Sequence, residues 1–151
     1  MIDTADYHVE MQGTGPKTGK LESLQDSLPV LEVASPPEFG GPGGEWSPEH
    51  LFVAALSSCL MTTFQAIAAM SGVEVVGYSD RATGRLHRGD DRLYKIESVT
   101  LRPRVVIADE SKVDRTLRLF SRAESVCLIS RSVASEILLE PTVTVDHHVG
   151  T

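Results

Sequence analysis

Cysteine is scarce in this chain: Cys59 and Cys127 are the two in 151 residues. Two cysteines in a cytosolic protein read as free thiols or a catalytic couple rather than as a permanent staple. The stretch M-I-D-T-A-D-Y-H-V-E lacks both the basic and the apolar region of a secretory leader, so the expected compartment is the cytoplasm. Positive charge is also in short supply, 14 Lys and Arg against 21 Asp and Glu, a net −7. That balance argues against nucleic acid or an anionic membrane surface as partner. Internal repeats, low-complexity tracts and interdomain linkers are missing too, which leaves a single domain over residues 1–151.

Further shortages exclude further classes. One apolar run, residues 51–70, is long enough to span a bilayer, but Ser57, Ser58, Thr62, Thr63 and Gln65 interrupt it and no second run accompanies it. The Gly-rich stretch G-G-P-G-G is not followed by the lysine of a phosphate loop, nor preceded by its strand, so nucleotide binding is not expected. His8, His50 and His87 have no ligand spacing. His147 and His148 are neighbours, and on a strand they would point to opposite faces. No metal and no cofactor is expected.

What is present is a core. With 41% apolar residues and mixed charge spread along the chain, a folded globular protein is indicated. Strands are expected over residues 5–12, 17–24 and 28–33, the first two separated by the turn-rich G-T-G-P-K-T-G. Residues 36–46, P-P-E-F-G-G-P-G-G-E-W, form an ordered loop, with Phe39 and Trp46 anchoring it or walling a pocket. Ser47, Pro48 and Glu49 start a helix: a capping hydroxyl, Pro in the first turn and an acid at the positive dipole end. It runs to about Ser71 with Gly72 as its stop. Leu51, Phe52, Val53, Leu56, Leu60, Phe64, Ile67 and Met70 make it apolar nearly all round, the mark of a buried central helix.

Two strands follow, 73–87 and 93–107, joined in a hairpin through R-G-D-D-R, with Pro103 implying an edge or a bulge. Asp109 or Ser111 caps a second helix that shows Val113, Leu117, Phe120 and Ala123 on one face. Residues 138–147 complete the chain as a strand. The order βββ-α-ββ-α-β gives an α+β fold, two main helices packed on antiparallel sheets.

Each cysteine has a definite setting. Cys59 lies deep in the first helix, within S-P-E-H-L-F-V-A-A-L-S-S-C-L-M-T-T-F. Cys127 lies where the second helix ends or bends, within A-E-S-V-C-L-I-S-R-S. A buried cysteine is ordinarily packing. Two, each flanked by apolar and hydroxyl side chains, fit a peroxide-reducing pair.

These same segments resemble the OsmC/Ohr family of thiol-dependent hydroperoxide reductases. The likeness covers about residues 5–145 and rests on the Gly-rich loop, Ser47-Pro48-Glu49, a cysteine ten residues after that glutamate, and a second cysteine opening a short apolar–polar turn. It implies an intertwined homodimer with the long cysteine-bearing helices at its centre and two active sites at the subunit interface. The implied reaction is reduction of an organic hydroperoxide, with Cys59 peroxidatic, Cys127 resolving and a dithiol as reductant. Apolar neighbours (Leu51, Phe52, Leu56, Phe64, Leu128, Ile129) favour alkyl or lipid peroxides over hydrogen peroxide. The rival from another class is a dimeric binding or redox-sensing protein that kept the fold with little turnover.

The sequence departs from the family at its cation. Glu49 matches the acid that orients a catalytic arginine, yet no arginine precedes Arg81. Lys17 occupies the matching place, with Lys20 nearby, and Leu128 replaces the family's proline. Arginine's planar fork can hold a thiolate and a carboxylate together, whereas lysine is a mobile point charge. Arg131 either supplies the cation from another direction or is a solvated surface residue. Ten helical residues would separate Glu49 from Cys59 by roughly 15 Å. The helix therefore starts well after Glu49, or the carboxylate serves the partner's cysteine, or Glu49 is only a first-turn acid at the dipole.

Overall fold

A computed structural model of the chain describes residues 2–147; His148, half of the histidine pair, lies outside them. Its contacts divide the chain into two compact units, one ending at Leu51 and the other beginning at Phe52.

The first unit is an antiparallel meander of β1 (Val9–Gly15), β2 (Thr18–Ser23) and β3 (Leu31–Ala34) in that order. All three strands are shorter or later than the sequence pattern suggests. Pro16 and Lys17 form the β1–β2 connection, and Lys17 holds φ at 60°, a left-handed conformation that ordinarily favours glycine. After β3 the chain makes a 3₁₀ turn, Pro37–Phe39, and enters the Gly-rich loop. Gly41 is required there, because a Cβ would fall 1.8 Å from the Ser35 carbonyl oxygen. Val33, Ala34 and Ser47 are buried, but every residue of β1 is exposed.

Helix α1 (Pro48–Met70) begins where its cap predicts. The Ser47 hydroxyl accepts from the His50 N–H at 3.2 Å, and Ser47 Oγ lies 2.7 Å from His50 Nδ1. His50 thus answers its cap as Glu or Gln does in a capping box. The helix ends as expected: Gly72 sits at φ 67°, and the Val73 N–H reaches back to the Ala68 carbonyl at 2.9 Å. It is not buried all round. Leu56, Leu60, Phe64, Ile67 and Ala68 are buried, whereas Ser58, Thr62, Gln65, Ala66 and Ala69 are exposed and Met70 is 79% exposed. By length and composition α1 could cross a membrane, but its buried stripe is the centre of the second unit's core.

The second unit corrects the strand reading. The expected hairpin exists, but each arm is broken in two: β4 (Val75–Asp80) and β5 (Thr83–Arg88), then β6 (Tyr94–Leu101) and β7 (Pro103–Ile107). The last expected strand is likewise β8 (Glu136–Leu139) and β9 (Thr142–Val145). Pro103 and Pro141 lack the N–H that would continue a ladder, so the ribbons bend beside them into two sheets, β4-β7-β9 and β5-β6-β8. Pro103 therefore opens a central strand and marks no edge. β8 and β9 pair parallel to β6 and β7, while the other ladders are antiparallel. Asp109 caps the short turn Glu110–Lys112 by accepting from the Ser111 N–H at 3.0 Å; helix α2 proper (Val113–Val126) follows it. Its Thr116, Leu119, Phe120 and Ala123 are buried, and Phe64 of α1 stacks on Phe120 with ring centroids 3.9 Å apart.

Candidate thiol site

Cys59 precedes buried Leu60 on α1 and stands at the margin of the buried stripe, half-buried. Cys127 is the residue at which α2 stops. Its ψ of 117° turns the chain out of the helix, and its side chain is wholly buried. The chain then coils into a short 3₁₀ turn, Ser130–Ser132, closed by the Arg131 N–H on the Cys127 carbonyl at 3.1 Å. The two helices thus deliver two sulfurs to one point. Both cysteines are free thiols, and the Cys127 S–H donates to Cys59 Sγ across 2.7 Å.

Charge at the two sulfurs is set unequally. Burial pushes the Cys59 thiol up, but donation from Cys127, the Ile129 N–H, the Thr63 hydroxyl and the Leu128 N–H outweighs it, and the net shift is downward. Thr63 is one helical turn beyond Cys59, with Oγ1 3.9 Å from its sulfur. Burial pushes the Cys127 thiol up as well, and its bond to Cys59 adds to that, so Cys127 stays protonated where Cys59 ionises. A thiolate is the reactive form, and donors aimed at it favour it over the thiol. Arg131 is exposed to solvent. The backbone donors of Leu128 and Ile129 and the Thr63 hydroxyl carry no signal in composition. Only Thr63, four residues from Cys59 on the same helix face, was findable by spacing.

Lys17 and Glu49 belong to the first unit. The Lys17 ammonium donates to the Phe39 carbonyl, tying the β1–β2 turn to the Gly-rich loop. One carboxylate oxygen of Glu49, Oε2, is buried and has no hydrogen-bond partner among the described residues. Since α1 runs unbroken from Pro48, Glu49 lies about 15 Å along the helix axis from Cys59, so a later helix start does not bring them together. Trp46, 49% exposed, meets His50 edge to face, and both line a cleft of about 300 Å³ with Gly44 and Glu45. Among the described residues no three His, Cys, Asp or Glu side chains gather as metal ligands would.

A nucleophilic thiol with a second thiol in contact is the chemistry this geometry offers. Comparison with known proteins agrees on the fold and the family. The family model described as OsmC-like protein matches residues 41–142, which include Glu49 and both cysteines. The uncharacterized protein YmaD of Bacillus subtilis is 25% identical over 140 residues, 90% of this chain and 93% of that one. An OsmC-like protein of unknown function from Vibrio cholerae superposes with a TM-score of 0.83 at 25% identity, covering 91% of this chain and 99% of the other. An organic hydroperoxide resistance protein OsmC from Legionella pneumophila shares the fold at 23% identity and a TM-score of 0.73, over 93% and 99% of the two chains.

Proposed function

The chain belongs to the OsmC-like family, and from that premise we propose that it reduces organic hydroperoxides with Cys59 and Cys127. The observation that carries the reading is the 2.7 Å contact between a thiol pushed toward ionisation and one held protonated. The Cys59 thiolate attacks the terminal peroxide oxygen. The O–O bond breaks, the hydroxyl stays on sulfur as a sulfenic acid, and the alkoxide leaves to be protonated to the alcohol. Cys127 sulfur then displaces that hydroxyl, which leaves with a proton as water, and a disulfide forms. An external dithiol restores both thiols by exchange and is itself oxidised.

Partly buried Ile129 and the 65% exposed Leu128, which follow Cys127 directly, give the surroundings an apolar character suited to alkyl chains. Lys17, in the family arginine's place, is the cation this reading assigns opposite Glu49. Its ammonium uses one of three donors on Phe39, and Glu49 Oε2 has no hydrogen-bond partner among the described residues. The site is read as completed in a homodimer: the exposed Met70 of α1 and the exposed Val9 and Met11 of β1 want cover that a second copy related by a two-fold axis would supply.

The test is consumption of cumene hydroperoxide with a dithiol, wild type against Cys59→Ser. Turnover lost in the variant supports the reductase. Equal inertness in both leaves the second reading, a redox-sensing or binding protein of the same fold, which the missing arginine favours.

A further inference from the structure

The ribbon bends collect a second group of functional side chains on the sheet β4-β7-β9. Ser79 stands opposite Arg104 in the β4–β7 ladder, and Arg104 stands opposite Thr142 in the β7–β9 ladder. A hydroxyl, a guanidinium and a hydroxyl therefore sit in a row across three strands on one face. Arg81 and Arg102 join them at the breaks, where the Arg81 N–H meets the Arg102 carbonyl at 3.5 Å. These five side chains line a cleft of about 350 Å³.

The nearby acids are already engaged. Asp80 Oδ1 accepts from the Arg102 backbone N–H at 2.7 Å, and its Oδ2 accepts from Ser57 of α1. Glu140 holds Arg102 Nε at 3.0 Å, and the Arg102 Nη1 donates to Thr83 Oγ1 at 3.0 Å. Arg81 and Arg104 have no carboxylate partner among the described residues and keep their forks open. In a chain of net charge −7, two arginines without a carboxylate partner among the described residues and two hydroxyls thus share one small concavity.

We propose that this cleft binds a phosphomonoester or free phosphate, with Arg81 and Arg104 gripping the oxyanion and Ser79 and Thr142 donating from either side. Guanidinium forks match phosphate oxygens in pairs, and the cleft is wide enough for a short organic tail beside the phosphate. The overall negative charge disfavours a nucleic-acid backbone as occupant. The inference does not rest on the redox reading.

The test is a titration of ¹⁵N-labelled protein with sodium phosphate and, separately, glycerol 3-phosphate, followed by amide shifts at constant ionic strength held with chloride. Saturable shifts at Ser79, Arg104 and Thr142 are expected, weakened about tenfold or more in Arg104→Gln and in Arg81→Gln. Both side chains are exposed, so neither variant threatens the fold. Tighter binding of the ester names an organophosphate as ligand, and equal binding names the free anion. Shifts no larger than those from chloride, or wild type and both variants titrating alike, overturn the proposal.

Discussion

The rings of Phe64 and Phe120 lie face to face, 3.9 Å between centroids and 5° from parallel, and join the two helices that carry the thiols. Phe64 follows Cys59 on α1, and Phe120 precedes Cys127 on α2, so the stack sets the spacing at which the sulfurs meet. Both rings are wholly buried. Phe120→Ala is expected to cost about 3–5 kcal/mol of stability through the cavity it leaves. Urea denaturation measures this, and a loss below about 1 kcal/mol would contradict the packing described.

The thiol pair makes a pH prediction. Donors stabilise the Cys59 thiolate, so its folded pKa is lowered and alkylation by iodoacetamide begins at lower pH than for an ordinary cysteine near about 8.5. Removing the strongest of those donors must move the profile the other way. In Cys127→Ala the midpoint of the alkylation rate rises in pH, and at neutral pH Cys59 reacts more slowly. A midpoint that stays put or falls would show that Cys127 does not support the thiolate.

Smaller donors should have smaller effects. Thr63→Val removes a long contact, 3.9 Å, and is expected to slow Cys59 alkylation at neutral pH by roughly two- to fivefold. Arg131→Ala removes an exposed side chain and should leave that rate within about twofold. The reverse order would make Arg131 the cation of the site.

Lys17→Arg tests the departure from the family's pattern. A fork at position 17 can hold a carboxylate and a developing anion together, and a gain of about 1–2 kcal/mol in the barrier, tenfold or more in rate, is expected. The assay is steady-state reduction of cumene hydroperoxide. An unchanged rate would confine Lys17 to its bond with the Phe39 carbonyl, which ties the β1–β2 turn to the loop.

Much of the fold was legible because its signals are local. Ser47 and Pro48 announce the start of α1 and Gly72 its end, since capping depends on residues within one turn. The ribbon breaks were less legible. Alternation across residues 93–107 is continuous, and the pattern does not register that Pro103 and Pro141 each bend a strand into a second sheet. The parallel pairing of β8 and β9 was also out of reach, because it is a contact between segments some 40 residues apart in sequence.

By itself the sequence determined the two main helices, the number of thiols, the absence of an early arginine and the family those motifs resemble. All follow from residue identity and short-range spacing. Tertiary structure alone decided that Cys59 and Cys127 touch, that the N–H groups of Leu128 and Ile129 serve the Cys59 sulfur, and that Arg81, Arg102 and Arg104 share a cleft. Each is a meeting of distant segments. Periodicity says which face of a helix is buried, but packing chooses what that face meets.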